Sequence, residues 1–314
     1  MKIHTPKYNW RNYAFGSISL CMIMRNSAKT LRRCLDSVAG LVDEMIIVDT
    51  GSDDISIPIA KSYGARVQMD PWQDDFARPR NIGLKAANCQ YILIMDPDEM
   101  LSKGNHLAIK HLTTIKKHDA FLLTTRNYSK LSRDTRYIRL KNGLDPTGKF
   151  PGYTPSTKTR FFKNGLGIQF EGCWHELVDW YILRHNLSMA RSLVPVHHWT
   201  HEIEQGTWQQ KKAFYLKMGE KKVRQWPTSG KAHWELSVPE ATHGYYHRAI
   251  RSITKALKLG FIGKEQFFAL SKCQRALGDT KKADFAFEKA TCQLFPSLTH
   301  IDTNKKSLKE ICTY

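Results

Sequence analysis

Acidic side chains directly follow two short apolar runs in the first hundred residues. Residues 45–48 run into Asp49, and residues 91–95 run into Asp96 and Asp98. Carboxylate oxygens are the ligands that Mg²⁺ and Mn²⁺ prefer, and these metals in turn bind phosphate oxygens. The pattern therefore predicts a site that holds a nucleotide diphosphate through a divalent metal.

The commonest glycine-rich nucleotide motifs are absent from the sequence. The segment after the first apolar run reads Arg25-Asn26-Ser27, without the GxGxxG glycines of a dinucleotide fold, and no GxxxxGK[ST] phosphate loop occurs anywhere. The sequence therefore disfavours a dinucleotide-dependent oxidoreductase and a P-loop enzyme.

Apolar runs alternate with segments of helical periodicity over the first hundred residues. Strands are predicted at 17–24, 45–48, 65–67 and 91–95, and helices at 30–41, 55–63 and 80–87. Alternation with short connections predicts an α/β fold with a parallel, doubly wound sheet. Ligands of such sheets bind outside the carboxyl ends of the strands, so Asn26, Asp49 and the pair Asp96/Asp98 should converge on one crevice.

Five segments, read in order, resemble the family-two glycosyltransferases of GT-A fold, in the branch that carries tetratricopeptide-like helices after the GT-A domain. They are SISLCMIMRN, DEMIIVDTGSDD, DFARPRN, YILIMDPDE and TRFFKNGLGIQFEGCWHE. The resemblance covers roughly residues 17–200. It implies a GT-A doubly wound, mostly parallel sheet and a metal-dependent hexosyltransferase type of activity on a nucleotide-sugar donor, a UDP-sugar in particular, with inversion.

The resemblance also assigns roles to individual residues. Asp49 is implied to bind the uracil or ribose, Arg80 the nucleotide and its phosphates, and Asp96 the ribose. The full implied donor-binding set is Asn26, Asp49, Gly51, Ser52, Arg80 and Asp96.

The metal and the catalytic base are implied in the same way. Asp98 is implied to ligate Mn²⁺ or Mg²⁺, with His198 as a further metal ligand; His197 is the alternative, and Trp199 after His198 favours the latter. Glu176 resembles the catalytic base, with His175 beside it as the second candidate. Each motif taken singly also fits a simpler interpretation, such as a turn or a helix cap, and it is their order behind alternating strands that favours a site.

This sequence departs from the family pattern at several places. The usual lysine-asparagine-glutamate after the first strand is Arg25-Asn26-Ser27, and Pro97 stands where a small residue is commoner. None of the departures removes an acidic ligand. They indicate a divergent member, so the donor sugar and the acceptor are not assigned from the resemblance.

An internal repeat marks the C-terminal part of the chain. Ala249, Ile253 and Ala256 recur 34 residues later as Ala283, Phe287 and Ala290, which is the tetratricopeptide period. Gly278-Asp279 predicts the turn between two helices, and Pro296 the end of the last one. The predicted domains are therefore a GT-A domain at 17–205 and an α-helical tetratricopeptide-like region at 206–314. Because two repeats bury little core alone, this region should pack on the catalytic domain or form a homodimer.

Charge and cysteine content limit the partners and the compartment. The net charge of +19 attracts polyanions, and the basic segment 126–160 could contact an anionic acceptor or form a solvated loop. Seven cysteines without a CxxC spacing favour a reducing compartment. With no signal peptide and no apolar stretch of about 18 residues, we expect a cytoplasmic protein without a transmembrane segment.

The sequence therefore predicts a metal-dependent glycosyltransferase with an unidentified acceptor. Two alternatives stay open. One is transfer of a sugar to a nucleic-acid base, which the charge of +19 motivates. The other is a non-catalytic binding protein built from a GT-A domain and tetratricopeptide-like helices.

Overall fold

The computed structural model describes residues 14–130, 136–141, 143, 145–199 and 208–291. These residues fall into two compact units. The first holds the described residues up to Glu171 and those from His175 to Trp199; the second holds Gly172–Trp174 and the residues from 208 onward. The predicted boundary between residues 205 and 206 lies outside the described residues.

Four parallel strands form the first half of the sheet, in the order β3-β2-β1-β4. Their bounds, with those of the helices that connect them, are β1 Ile18–Met24, α1 Ala28–Val38, β2 Glu44–Asp49, α2 Ser56–Ser62, β3 Arg66–Met69, α3 Ala77–Ala86 and β4 Tyr91–Ile94. Each lies within a few residues of its prediction. The apolar runs become central strands because β1, β2 and β4 are covered on both faces.

The second half of the sheet is mixed. Next to β4 the order is β8-β6-β9-β5, and only β6 and β9 run parallel to each other. The bounds are β5 Glu99–Met100, α4 His106–Leu112, β6 Ala120–Ser129, β7 Ile138–Arg139, β8 Gly152–Lys163, α5 Asp179–Arg184 and β9 Met189–Trp199. The α/β class is confirmed, and the parallel pattern holds for the first four strands. In the basic segment 126–160, residues 126–129 belong to β6 and residues 152–160 belong to β8.

The core of the first unit lies on both faces of the sheet. Along β1, Leu20 and Met22 pack on the side of Leu35 of α1, whereas Cys21 packs on the other side with Leu84 of α3. Burial of one such leucine side chain stabilises the fold by roughly 1.5–3 kcal/mol. Since β1, β2 and β4 are parallel neighbours, this packing holds their carboxyl ends together at one edge of the sheet.

The second unit is helical throughout its described residues from 208 onward. Its helices are α6 Trp208–Gln225, α7 Gly230–Thr242, α8 Tyr246–Lys258, α9 Lys264–Ala276 and α10 Thr280–Thr291. Helix α7 packs on α8, and α9 packs on α10. The predicted helical region is confirmed, and Gly278 has the positive φ of a turn between helices.

The repeat positions occupy partly equivalent environments. Ala249 and Ala256 are fully buried, as is Ala283, and Ile253 is 1% exposed. Phe287 is 49% exposed and meets the ring of Phe268 edge to face. Pro296 lies outside the described residues, and the homodimer stays a prediction.

Two further observations concern the described residues as a whole. Within them, no helix combines the length and the apolar character that crossing a membrane requires. The described cysteines all carry free thiols: Cys21, Cys34, Cys89, Cys173 and Cys273.

Candidate active site

The turn after β2 brings four of the predicted donor-binding residues together. Asp49 is fully buried, and its Oδ1 accepts hydrogen bonds from the backbone N–H of Gly51 at 2.9 Å and of Ser52 at 2.8 Å. The Ser52 hydroxyl donates to the other carboxylate oxygen of Asp49. Asn26 joins the turn, because its N–H donates to Ser52 Oγ and its Oδ1 accepts from the N–H of Asp53. The Asp49 carboxylate thus shapes the turn.

The backbone of this turn explains two residue types. Gly51 has a φ of 109°, which only glycine adopts readily. Asn26 has a φ of 48°, in the left-handed region that asparagine tolerates better than most residues. Both residues lie just past the carboxyl ends of neighbouring strands, β2 and β1, as predicted.

Arg80 connects the donor side of the site to the candidate base. Its Nε donates to Glu176 Oε1 at 2.6 Å, and its Nη2 donates to Asp96 Oδ1 at 2.7 Å. The guanidinium carbon lies 5.2 Å from the centre of the Phe170 ring. Residues that are 80 positions apart, Asp96 and Glu176, therefore share one cation.

Two local contacts hold this arrangement. Asn81, next to Arg80 on α3, exchanges two hydrogen bonds with the backbone of Phe170, at 3.0 and 2.7 Å. The loop that carries Glu176 is closed at its base by reciprocal backbone hydrogen bonds between Glu171 and Leu177. Asn81 thus fixes helix α3 to the segment that leads into this loop, and the Glu171–Leu177 hydrogen bonds hold the loop itself closed.

The electrostatics of this group favour its charged form. Burial alone would raise the pKa of Asp96, but the positive charges of Arg80, Arg160 and Lys158 outweigh it and hold the pKa well below its usual range. Burial likewise opposes the charge of Arg80, and its two carboxylate partners outweigh that effect and raise its pKa. Arg80 Nη1 is buried and has no hydrogen-bond partner among the described residues. Buried donors are rarely left unsatisfied, so this N–H is suited to a ligand oxygen.

Asp98 and His198 meet through the pairing of β5 with β9. Glu99 is aligned with His198 in that pair, and His198 Nε2 lies 3.3 Å from Asp98 Oδ2. The other ring nitrogen, Nδ1, lies 2.7 Å from Asn127 Oδ1. Asn127 uses its amide N–H groups on the Thr154 carbonyl and on Ser156 Oγ, which fixes its oxygen towards His198.

This orientation of Asn127 decides what His198 offers to Asp98. With a hydrogen on Nδ1, a neutral His198 directs the lone pair of Nε2 at a carboxylate oxygen. Two acceptors in this geometry need a cation between them, either a proton or a metal ion. Burial lowers the pKa of His198, but the hydrogen bond and the charge of Asp98 raise it more, so the net shift is upward.

The two side chains fit a metal that is shared with a substrate. No group of three or more His, Cys, Asp or Glu side chains suited to a metal is found within the described part of the chain. Mg²⁺ is commonly held by one or two protein ligands together with substrate phosphates and water. A carboxylate and an imidazole with its lone pair directed inward match that donor set.

The neighbouring His197 has a different environment. Its Nδ1 lies 2.8 Å from the Tyr128 hydroxyl and its Nε2 lies 3.0 Å from Ser102 Oγ, and its ring stacks against Tyr128. Burial, aided by the charge of Arg126, lowers the pKa of His197 to about 4. Of the two histidines, the structure places His198 beside Asp98.

His175 differs from Glu176 in exposure. The Glu176 side chain is 11% exposed, whereas His175 lies on the surface with a φ of 49°. Glu176 is therefore the member of the pair that joins the Arg80 group.

The sequence did not reveal a buried ion pair beneath the site. Arg160 donates from Nη1 to Glu99 Oε2 at 2.7 Å and from Nη2 to Glu99 Oε1 at 2.5 Å. Glu99 also accepts from the N–H of Asp96 at 2.9 Å. Burial outweighs the charge of Arg160 and raises the pKa of Glu99. The two residues are 61 positions apart, and no local pattern connects them.

The chain thus combines a mixed α/β sheet with polar and charged side chains gathered at one edge of it. It belongs to glycosyl transferase family 2, whose family model matches residues 19–175, half of the chain. The predicted family is therefore confirmed.

Curated relatives extend the comparison. A TPR repeat-containing protein of Synechococcus elongatus is 34% identical over 166 residues, which are 53% of this chain and 36% of that protein. An uncharacterized glycosyltransferase of Rickettsia bellii is 32% identical over 105 residues, 33% of this chain and 35% of that protein. The chain thus spans about a third of the length of these relatives.

Solved structures resemble the chain more distantly. TarS of S. aureus, crystallised with UDP-GlcNAc, aligns over 87% of this chain and 91% of that chain at 15% identity, with a TM-score of 0.48. Glucosyl-3-phosphoglycerate synthase of Mycobacterium tuberculosis, crystallised with Mn²⁺ and UDP, aligns over 65% of this chain and 78% of that chain at 16% identity, with a TM-score of 0.43.

Proposed function

We propose that the chain is a metal-dependent glycosyltransferase that moves a sugar from a nucleoside-diphosphate sugar, with UDP-sugars as the first candidates, to an acceptor hydroxyl with inversion. One observation carries the proposal. The Arg80 guanidinium joins Asp96 to Glu176, so a donor-binding carboxylate and a candidate base lie at one point, two residues from the Asp98–His198 pair.

The donor would lie along the carboxyl ends of β1, β2 and β4. The turn built from Asn26, Asp49, Gly51 and Ser52 shapes the nucleoside end. The side chain of Asp96 is 27% exposed, and one of its carboxylate oxygens accepts a hydrogen bond from Arg80. The other oxygen can accept a hydrogen bond from a ribose hydroxyl. Such positioning removes part of the entropic barrier to reaction.

The leaving diphosphate needs positive charge. Asp98 and His198 would hold the Mn²⁺ or Mg²⁺ ion, which when bound neutralises charge on the departing phosphate. The unsatisfied Nη1 of Arg80 adds an N–H donor of the protein itself. Both contributions grow in value as charge develops on the leaving oxygen.

Glu176 would take the proton of the acceptor hydroxyl. Its Oε1 is held by Arg80 Nε at 2.6 Å, which leaves Oε2 to face the acceptor. A positioned base of this kind contributes roughly 10²- to 10⁴-fold to the rate. Because the acceptor attacks the anomeric carbon directly, no covalent sugar–enzyme intermediate is needed, and the configuration at that carbon inverts.

The test is donor hydrolysis. Purified protein is incubated with Mn²⁺ and a panel of nucleotide sugars, and release of the nucleoside diphosphate is followed. We expect one donor to be cleaved, and Asp98→Ala to lower the rate by about 100-fold or more. Asp36→Ala, which removes an exposed carboxylate of α1, is the matched control and should leave the rate unchanged. Failure of every donor with every divalent metal would favour the non-catalytic alternative.

A further inference from the structure

Residues 172–174 belong to the second, helical unit, whereas the chain on either side of them belongs to the first unit. They lie in the loop that carries Glu176, the candidate base, which follows Trp174 by two peptide bonds. The indole of Trp174 stacks on the Tyr215 ring of α6, with ring centroids 5.7 Å apart. The base therefore comes directly after a short segment that is packed within the helical unit.

A buried lysine holds the backbone of this segment. The side chain of Lys222, on α6, is 3% exposed. Its Nζ donates to the Trp174 carbonyl oxygen at 2.7 Å and to Glu235 Oε2 of α7 at 2.5 Å. The same nitrogen lies 5.6 Å from the centre of the Trp226 ring. Because Glu235 already balances the buried charge, the hydrogen bond to the carbonyl has a separate consequence, which is to tie residue 174 to α6.

Two glycines show how closely the segment is packed. Gly172 has a φ of 96°, and a Cβ atom on it would lie 2.9 Å from Cη2 of Trp226. A Cβ atom on Gly219 of α6 would lie 3.3 Å from Cζ3 of Trp174. Neither position has room for a side chain unless the surrounding atoms shift, as is usual in close-packed interiors. The segment therefore has little freedom to move against α6 while these contacts are in place.

We propose that Lys222 is a positioning residue for the base Glu176 and acts on it through the backbone of residues 174–176. The inference rests on the proposed function, in which Glu176 keeps one oxygen on Arg80 and turns the other towards the acceptor. A base must lie within hydrogen-bond reach of the proton it takes, and a misplacement of about 1 Å can cost about 100-fold in rate. Release of the Trp174 carbonyl would give the next two residues more freedom, so Glu176 would spend less time in the reactive position.

Donor hydrolysis with Mn²⁺ tests this role, because water then takes the place of the acceptor and gives its proton to Glu176. Lys222→Met alone would leave Glu235 buried and unpaired, so the test variant combines Lys222→Met with Glu235→Leu and removes both charges. We expect kcat to fall about tenfold. KM for the donor should stay unchanged, because the donor-binding residues are unaltered. The free energy of unfolding, from urea titration, should stay close to that of the unaltered protein.

A second background separates positioning of the base from a general loss of order. In Glu176→Gln, the same two substitutions should change kcat by less than about twofold, because no base is left to position. Arg248→Met is the matched control. It breaks another ion pair between helices of the same unit, that with Glu220, and should leave kcat unchanged.

The outcomes separate this inference from the proposed function. If the unaltered protein cleaves no donor, the proposed function itself fails. If it cleaves a donor and the variant Lys222→Met with Glu235→Leu has an unchanged kcat, only the role of Lys222 is wrong. A rise in KM, or an equal fall in kcat in the Glu176→Gln background, would also overturn that role, because the effect would not pass through the base.

Circular dichroism checks that each variant is folded. Should the first pair of substitutions prevent folding, Lys222→Met with Glu235→Gln keeps the size and polarity of residue 235 and is measured in its place. The same fall in kcat is expected, because the donor to the Trp174 carbonyl is again removed, and an unchanged kcat would again overturn the role of Lys222.

Discussion

Two arginines bind carboxylates at the same edge of the sheet, and their surroundings differ. The side chains of Arg160 and Glu99 are 2% and 3% exposed and form two hydrogen bonds. Arg80 bridges Asp96 and Glu176, whose side chains are 27% and 11% exposed. The same chemical groups therefore make a fixed support in one place, the buried pair Arg160–Glu99, and a cation within reach of a ligand in the other, the Arg80 bridge.

Removing the base from the Arg80 bridge should give the largest effect on activity. We expect Glu176→Gln to lower the rate of sugar transfer or donor hydrolysis by about 10²- to 10⁴-fold, because glutamine cannot take the proton. The free energy of unfolding should change little, since the amide oxygen still accepts from Arg80. Stopped assays with the hydrolysed donor, run beside urea unfolding, measure both. A rate near that of the unaltered protein would assign the base elsewhere.

Breaking the buried pair should act on stability instead. Arg160→Met leaves Glu99 buried without its partner, and we expect the free energy of unfolding to fall by about 3–5 kcal/mol. Urea unfolding followed by circular dichroism measures it. The double variant Arg160→Met with Glu99→Leu should be more stable than Arg160→Met alone, because no charge is then left unpaired. A loss below about 1 kcal/mol for Arg160→Met would place this pair in the same class as surface ion pairs.

Local patterns in the sequence predicted the central strands and the residues at their ends. β1, β2 and β4 are short runs buried on both faces and joined through helices, so their apolar content and spacing were sufficient to predict them. The residues at their ends, Asn26 and Asp49, follow from strand direction alone. The Asp98–His198 contact was predicted only through the family resemblance, because it depends on β5 pairing with β9.

The remainder depended on long-range pairing. The order of β8, β6, β9 and β5 combines parallel and antiparallel neighbours, and no periodicity in the sequence specifies which strand lies beside which. The partnership of Arg160 with Glu99 follows from that order, so it was not predicted. In the helical unit, the repeat alanines Ala249, Ala256 and Ala283 are fully buried, yet Phe287 is half exposed, because a repeat period fixes the spacing of residues and not what covers each position.

The buried side chain of His197 should make the stability of the fold depend on pH. Its pKa is lowered from 6.5 to about 4, chiefly by burial, so the folded state binds its proton less readily than the unfolded state. Its contribution to stability is therefore complete above pH 6.5 and is lost as the pH falls from 6.5 towards 4. Between about pH 7.5 and about pH 5, we expect the free energy of unfolding of His197→Gln to fall by about 2 kcal/mol less than that of the unaltered protein.

Urea unfolding at a series of pH values measures this difference between the two proteins. The comparison is made between slopes, because other groups titrate in both. His247→Gln, an exposed histidine of α8, is the matched control and should leave the slope unchanged. Identical slopes for His197→Gln and the unaltered protein would mean that the imidazole is not protected in the fold.

The smallest expected effect is the coupling within the Arg80 bridge. A double-mutant cycle of Arg80→Met and Asp96→Asn, read as the free energy of unfolding, isolates their interaction. Asp96 is partly exposed, and Arg80 still binds Glu176 when Asp96 is changed, so we expect a coupling energy of about 1 kcal/mol. For the same cycle on Arg160 and Glu99 we expect a coupling energy of several kcal/mol. Equal couplings would show that the bridge contributes to the stability of the scaffold as much as the buried pair does.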